Sequence, residues 1–230
     1  MRAAAFALVL AGAAAAASAE IVEASYEAPT ARYDHGALGD KIEWGALELR
    51  TTGERLRVTL PETRVFEDTA PRLADLDGDG APEVIVVETD LARGARLSVY
   101  GEAGLIAATP FIGRTHRWLA PAGIADLDGD GQAEIAYVET PHLAMVLKIV
   151  RLEDGKLVPV AAARGLTNHR NGDAFIQGGA FRCGGRWVVV TADAGWSRVM
   201  ATQLTDGRLV SRPLGPYLGP ESLDRPKGCN

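Results

Sequence analysis

The sequence predicts an all-β fold, a β-propeller of about four blades with a β-sandwich as the alternative, and three observations predict it. Two loops rich in acid and glycine, "LADLDGDGAPE" at 73–83 and "IADLDGDGQAE" at 124–134, repeat with a period of about fifty residues. Each is followed by a β-branched run, "EVIVVET" or "EIAYVET", too short and too rich in Val and Ile for a helix. No long amphipathic helical pattern occurs anywhere in the chain.

Taken in order, residues 1–19, "MRAAAFALVLAGAAAAASA", read as a Sec-type signal peptide cleaved after Ala19. An arginine precedes an apolar alanine-rich run, and Ala17, Ser18 and Ala19 form a small-x-small cleavage site. "KIEWGALELRTTGERLRVTLP" then alternates as strand, turn and strand, consistent with a divergent first unit. In the second unit the acidic loop and "EVIVVET" precede "ARLSVYG" and "LIAATPFIG", separated by the turn residues "GEAG". In the third, "AMVLKIVRL" and "KLVPVAAA" are separated by "EDGK". A fourth copy has kept its strands and lost its acids. His169-Arg170 repeats His116-Arg117, "WVVVT" repeats "EIAYV" and "QLTDGRLV" repeats "RLEDGKLV", while Asp126, Asp128 and Asp130 map to Gly179, Phe181 and Cys183. No such unit can bury both its faces alone, so the units must pack on one another, and radial packing protects their edges. The organisation expected is a signal peptide at 1–19, a propeller domain at 20–215 and a C-terminal tail at 216–230.

The net charge of −6 carries no basic patch, which excludes a nucleic-acid binder, and no stretch after the leader is long and apolar enough for membrane insertion. The mature protein is expected to be periplasmic or secreted. In that oxidising setting the two cysteines, Cys183 and Cys229, are expected to form a disulfide tying the tail to the body.

Numbered from the first aspartate, positions 1, 3, 5 and 9 of the loops are Asp75, Asp77, Asp79 and Glu83, then Asp126, Asp128, Asp130 and Glu134. Calcium takes about six to eight oxygens, which a curled loop supplies from alternate side chains, and clustered carboxylates otherwise only repel. Glycines at positions 4 and 6 permit the positive φ such a curl demands. Ala81 and Gln132, at position 7, are expected to add backbone carbonyls, making two Ca²⁺ sites. An EF-hand is rejected because position 12, Val86 or Tyr137, falls in a strand. A metal-free Asp-Gly turn explains the glycines but not four spaced carboxylates that recur with the same flanks.

"ADLDGDGAPEVIVVE" and "ADLDGDGQAEIAYVE" resemble the calcium-binding segments of FG-GAP or VCBS repeats, known from the integrin α-subunit propeller and exported bacterial proteins. The resemblance implies a β-propeller with Ca²⁺ held between the first two strands of a blade. It covers 71–140 well, 168–210 weakly and the first unit hardly at all.

The connectors "ARYDHG", "ETRVFED", "GRTHRW" and "TNHRNGD" are polar, and in a propeller such segments converge near the axis. His35, Arg64, His116, Arg117, His169, Arg170 and Asp173 are the candidate ligand-binding residues, against the simpler reading of solvated connectors. Trp118, Trp187 and Trp196 are read as core rather than as a sugar platform, and His142 as a turn residue. No nucleophile elbow, zinc-protease, Walker or dinucleotide motif is present. The expectation is therefore an exported calcium-binding propeller module that binds a protein or glycan without chemistry. The alternatives are a hydrolase or lyase on polysaccharide or phosphate esters, using Asp34, Glu67, Asp68 or Asp173, and a purely structural envelope component.

Overall fold

The computed structural model of the chain describes residues 20–224, Pro226 and Cys229, and the leader expected at 1–19 lies outside the described residues. Strand β1 (Ile21–Thr30) runs antiparallel to β2 (Glu43–Thr51), which turns into β3 (Arg55–Thr59). The expected strand, turn and strand of the first unit are β2 and β3, and β1 is an addition. Its Pro29 is tolerated because β1 is an edge strand and needs no second hydrogen-bonding partner.

Two short strands, β4 (Arg64–Phe66) and β5 (Arg72–Ala74), precede β6 (Glu83–Asp90), β7 (Gly94–Gly101) and β8 (Gly104–Ala108). Because β4 bonds to β2 on one side and β6 on the other, the first unit is not a separate blade: it is continuous with the second in one eight-stranded sheet. The second sheet is a four-stranded meander of β9 (Leu119–Ala125), β10 (Glu134–Glu139), β11 (Val146–Glu153) and β12 (Lys156–Arg164). The third holds β13 (Leu166–Thr167), β14 (Gly179–Cys183), β15 (Arg186–Asp193), β16 (Arg198–Thr205) and β17 (Arg208–Pro216), and a short helix, α1 (Glu221–Asp224), follows it. Four separate units are thus replaced by three sheets, all antiparallel.

Local turns follow the sequence. Asp154 and Gly155 (φ 47° and 70°) and Asp206 and Gly207 (φ 49° and 70°) close matching hairpins in which both central residues have positive φ, as two-residue hairpin loops require. The segment that aligns with an acidic loop in the last unit, Gly179 to Cys183, is β14, joined to β15 by Gly184 and Gly185 alone.

The sheets pack face to face. All of β6, and β10 up to Val138, are buried, and alternate side chains of β10 serve opposite faces. Ile135 and Tyr137 meet Ile85, Val87, Leu97 and Val99 of the first sheet, whereas Ala136 and Val138 lie with Val189 and Leu204 of the third. At about 1.5–3 kcal/mol for each large aliphatic side chain withdrawn from water, these interfaces are the main source of stability. Gly123 (φ 134°) lets β9 approach β14, since a Cβ there would lie 2.6 Å from the Ala180 nitrogen.

Both outer faces are covered by the chain's own ends. Ile21, Leu47 and Leu49 from β1 and β2 cover Val84, Val86 and Tyr100 on the first sheet. Leu223 of α1, with Tyr217 and Cys229, covers Val188, Val190 and Ala201 on the third. The expected bond between Cys183 and Cys229 is formed, with Cα atoms 4.1 Å apart, and ties Cys229 to the end of β14.

Candidate functional site

Up-and-down strands place the two acidic loops at one end of the molecule and the connectors, with the β10 to β11 turn, at the other. Each loop is a curl closed on itself. Asp75 accepts the Gly78 and Gly80 N–H groups at 2.8 and 3.1 Å, and Asp126 accepts those of Gly129 and Gly131 at 2.7 and 3.1 Å. These bonds need the positive φ of Gly78, Gly80, Gly129 and Gly131, which the structure shows. The position-9 glutamates close each loop from the strand side: one oxygen of Glu83 accepts Leu76 N–H at 2.8 Å, and one of Glu134 accepts Leu127 N–H at 2.7 Å. The other oxygen of each remains for a cation.

In the first loop, Asp75, Asp77 and Glu83 each bring an oxygen within 4.8 Å of the others. None of its four acids forms an ion pair with any described Lys or Arg. Burial, and then the Leu76 bond working against it, set the Glu83 carboxyl above its usual range, with Asp77, Asp79 and Asp75 adding to the rise. An acid-only cluster with one buried carboxylate and a preformed backbone curl fits a hard divalent cation. Asp79 stands outside the trio and accepts the Ala81 N–H at 2.7 Å.

The second loop gathers Asp126, Asp128 and Glu134 in the same way, yet a cation of the protein already occupies it. Arg151 of β11, directly opposite Glu134, donates Nε to Glu134 Oε1, Nη1 to Asp130 and Nη2 to Asp128, each at 2.7 Å. The corresponding position on β7, one step beyond the pair of Val84 and Tyr100, is Gly101, which has no side chain to offer. These carboxylates could hold a metal ion, but it would have to displace Arg151 from them.

At the opposite end the connectors meet, and all four histidines of the chain gather there. His35 Nδ1 lies 2.6 Å from Oε1 of the fully buried Glu67, whose Oε2 accepts Thr89 Oγ1 at 2.7 Å. His116 stacks on His35 at 5.0 Å and its Nε2 lies 3.4 Å from Asp34. His142 Nε2 lies 2.8 Å from His169 Nδ1, and His169 Nε2 lies 2.9 Å from the Asp173 carbonyl. A carbonyl only accepts, so His169 carries its proton on Nε2, receives the His142 Nε2–H on Nδ1, and leaves His142 Nδ1 as a free acceptor. Burial keeps both rings neutral, pushing His142 down to about 4 with the help of His169 and His35, and lowering His169 as well. Glu43, at the start of β2, is pushed up to about 9 by burial and by Glu67, Asp40 and Asp68, so it is a neutral acid at pH 7.

Of the residues read from the connectors, His35, His116, His169 and the Asp173 backbone come together, joined by His142. Arg64 is drawn away: it pairs with the buried Glu88 at 3.1 Å and lies over Phe111. Arg170 lies over Trp196 at 4.5 Å, and the Arg117 guanidinium bonds the neighbouring His116 carbonyl. Among the carboxylates, Asp68 is taken by Arg72 at 2.6 Å and the Asp173 side chain by Gln177, leaving Asp34 and Glu67 beside the histidines. Trp118 is core, its Nε1 bonded to the Glu67 carbonyl and its ring edge-on to His169. The sequence reading missed Glu43, Arg151 and Tyr33, whose hydroxyl accepts the His116 N–H at 2.8 Å. None of the three leaves a local signal, since Arg151 lies 17 residues beyond Glu134 on a different strand.

No curated protein matches the chain. Residues 75–137 match the family model of the FG-GAP-like repeat, a span that runs from the first acidic loop through the second and into β10. The chain thus carries an FG-GAP-like repeat.

Proposed function

We propose that the protein is an exported, calcium-stabilised, propeller-like module that binds a protein or glycan at its connector end and performs no chemistry on it. The observation that carries the calcium reading is the first loop, where three carboxylates converge on a preformed curl with no cation among them. The disulfide between Cys183 and Cys229 supports an oxidising compartment, and no described helix is long and apolar enough to cross a membrane. The connector end supports recognition, because exposed His116 and Asp34 lie beside half-buried His35, which the buried Glu67 holds.

Chelation tests the metal. At ten- to hundredfold excess over Kd, a ligand of the folded state adds about 1.4 to 2.7 kcal/mol. EDTA should therefore lower the melting temperature by roughly 3 to 10 °C in a chain of this size, with calcium restoring it. A melting curve indifferent to both would remove the metal from the proposal.

A second reading, a hydrolase or lyase on polysaccharide or phosphate esters, is favoured by one observation, the Glu67 and His35 pair. A buried carboxylate orienting an imidazole is the frame of a general base. Turnover of such an ester or glycan that disappears in Glu67→Gln would favour this reading over binding alone.

A further inference from the structure

We infer that Arg151 is the built-in cation of the second acidic loop, so that the chain takes up a single divalent ion, at the first loop, although both loops carry the same motif. This inference rests on the metal reading of the first loop. Three nitrogens of one guanidinium reach Asp128, Asp130 and Glu134, each at 2.7 Å, and a metal would need those same carboxylates. The side chain is only 13% exposed. Strand register delivers it, since Arg151 and Glu134 are directly paired neighbours on β11 and β10. A tethered cation loses little freedom on reaching the loop, whereas an ion from solution must shed its water and displace a fork of hydrogen bonds. Guanidinium also stays charged throughout the accessible pH range, so only protonation of its carboxylate partners releases the staple. The first loop has Gly101 at that register and none of these bonds. The two loops are therefore alike in sequence and different in kind: one is closed by an ion that a chelator can take, the other by a covalently attached one.

Calcium counted per chain by native mass spectrometry and by titration calorimetry of the full mature protein decides this. Wild type is expected to hold one ion, Asp75→Asn none, and Asp126→Asn still one, since asparagine keeps one of the two oxygens that accept the loop amides and Arg151 does not bond Asp126. Arg151→Gly, which installs the residue of the first loop, is expected to raise the count to two. A wild-type count of two overturns the inference, as does an ion lost in Asp126→Asn and kept in Asp75→Asn. Should Arg151→Gly fold poorly, the two aspartate variants carry the decision without it. A wild-type chain that holds no ion refutes the metal reading instead, and Arg151→Gly still judges the role of the arginine: uptake of an ion supports it, and no uptake overturns it.

Discussion

Replacing both cysteines, Cys183→Ser with Cys229→Ser, isolates what the disulfide contributes to the cap over the third sheet. The bridge spans 46 residues, from the end of β14 to the tail. By the chain-entropy relation, a loop of that length restricts the unfolded chain by about 4 kcal/mol. In the folded state the tail keeps other attachments: Leu223 is fully buried, Tyr217 donates to Gln177 at 2.9 Å, and Gly178 N–H reaches Asp224 at 3.0 Å. The variant should therefore keep its fold while losing stability. At roughly 2 to 4 °C per kcal/mol for a domain of this size, the melting temperature should fall by about 8 to 16 °C. If the tail also peeled away, exposing Leu223 would cost about another 2 kcal/mol, and faster amide exchange in β14 and β15 would report it. Calorimetry beside the oxidised wild type is the assay. A loss under about 1 kcal/mol would refute the view that the bridge closes the end of the stack.

Gly123→Ala should destabilise by about 2 kcal/mol or more, because the new methyl meets Ala180 where β9 packs on β14; denaturant unfolding measures it, and near-neutrality would mean that the sheets can slide apart. His142, with its pKa lowered to about 4 in the fold, binds fewer protons there than in the unfolded chain between that value and about 6.5. Stability should therefore fall as pH drops through that window, and His142→Gln should flatten the fall in a series of melting curves. Glu43 has the opposite sign: raised to about 9, it holds its proton in the fold when the unfolded chain has released it, so stability should decline from about pH 4.5 towards 9. Glu43→Gln removes that ionisation and should raise the melting temperature at pH 8.

Much of the architecture was legible because it is written in local chemistry. The β-branched runs became β6, β10 and β15, the Asp-Gly pairs became hairpins, and the loop glycines took the positive φ the motif demands. What could not be read depends on contacts between distant residues. The merging of the first unit with the second turns on the three residues of β4, which are too few to show a period. The partnership of His142 with His169 joins a β-turn to a connector across sheets, and no spacing in the chain announces it. The acidic-loop motif consists of loop residues alone, so a guanidinium arriving from the neighbouring strand lies outside it. Arg64 and Arg170 are candidate ligand-binding residues by their polarity, and each lies over an aromatic ring that is distant in sequence.

A hairpin covers one outer face of the stack and a bridged tail covers the other. A duplicated repeat appended to either side would meet a surface already claimed by Leu49 and Tyr100 or by Leu223 and Val190. Insertion between sheets would lengthen the array without disturbing either cover. The junction after β8 is one such seam, and the connector between β12 and β14 is another. Among the described residues, both outer sheet faces are covered in this way.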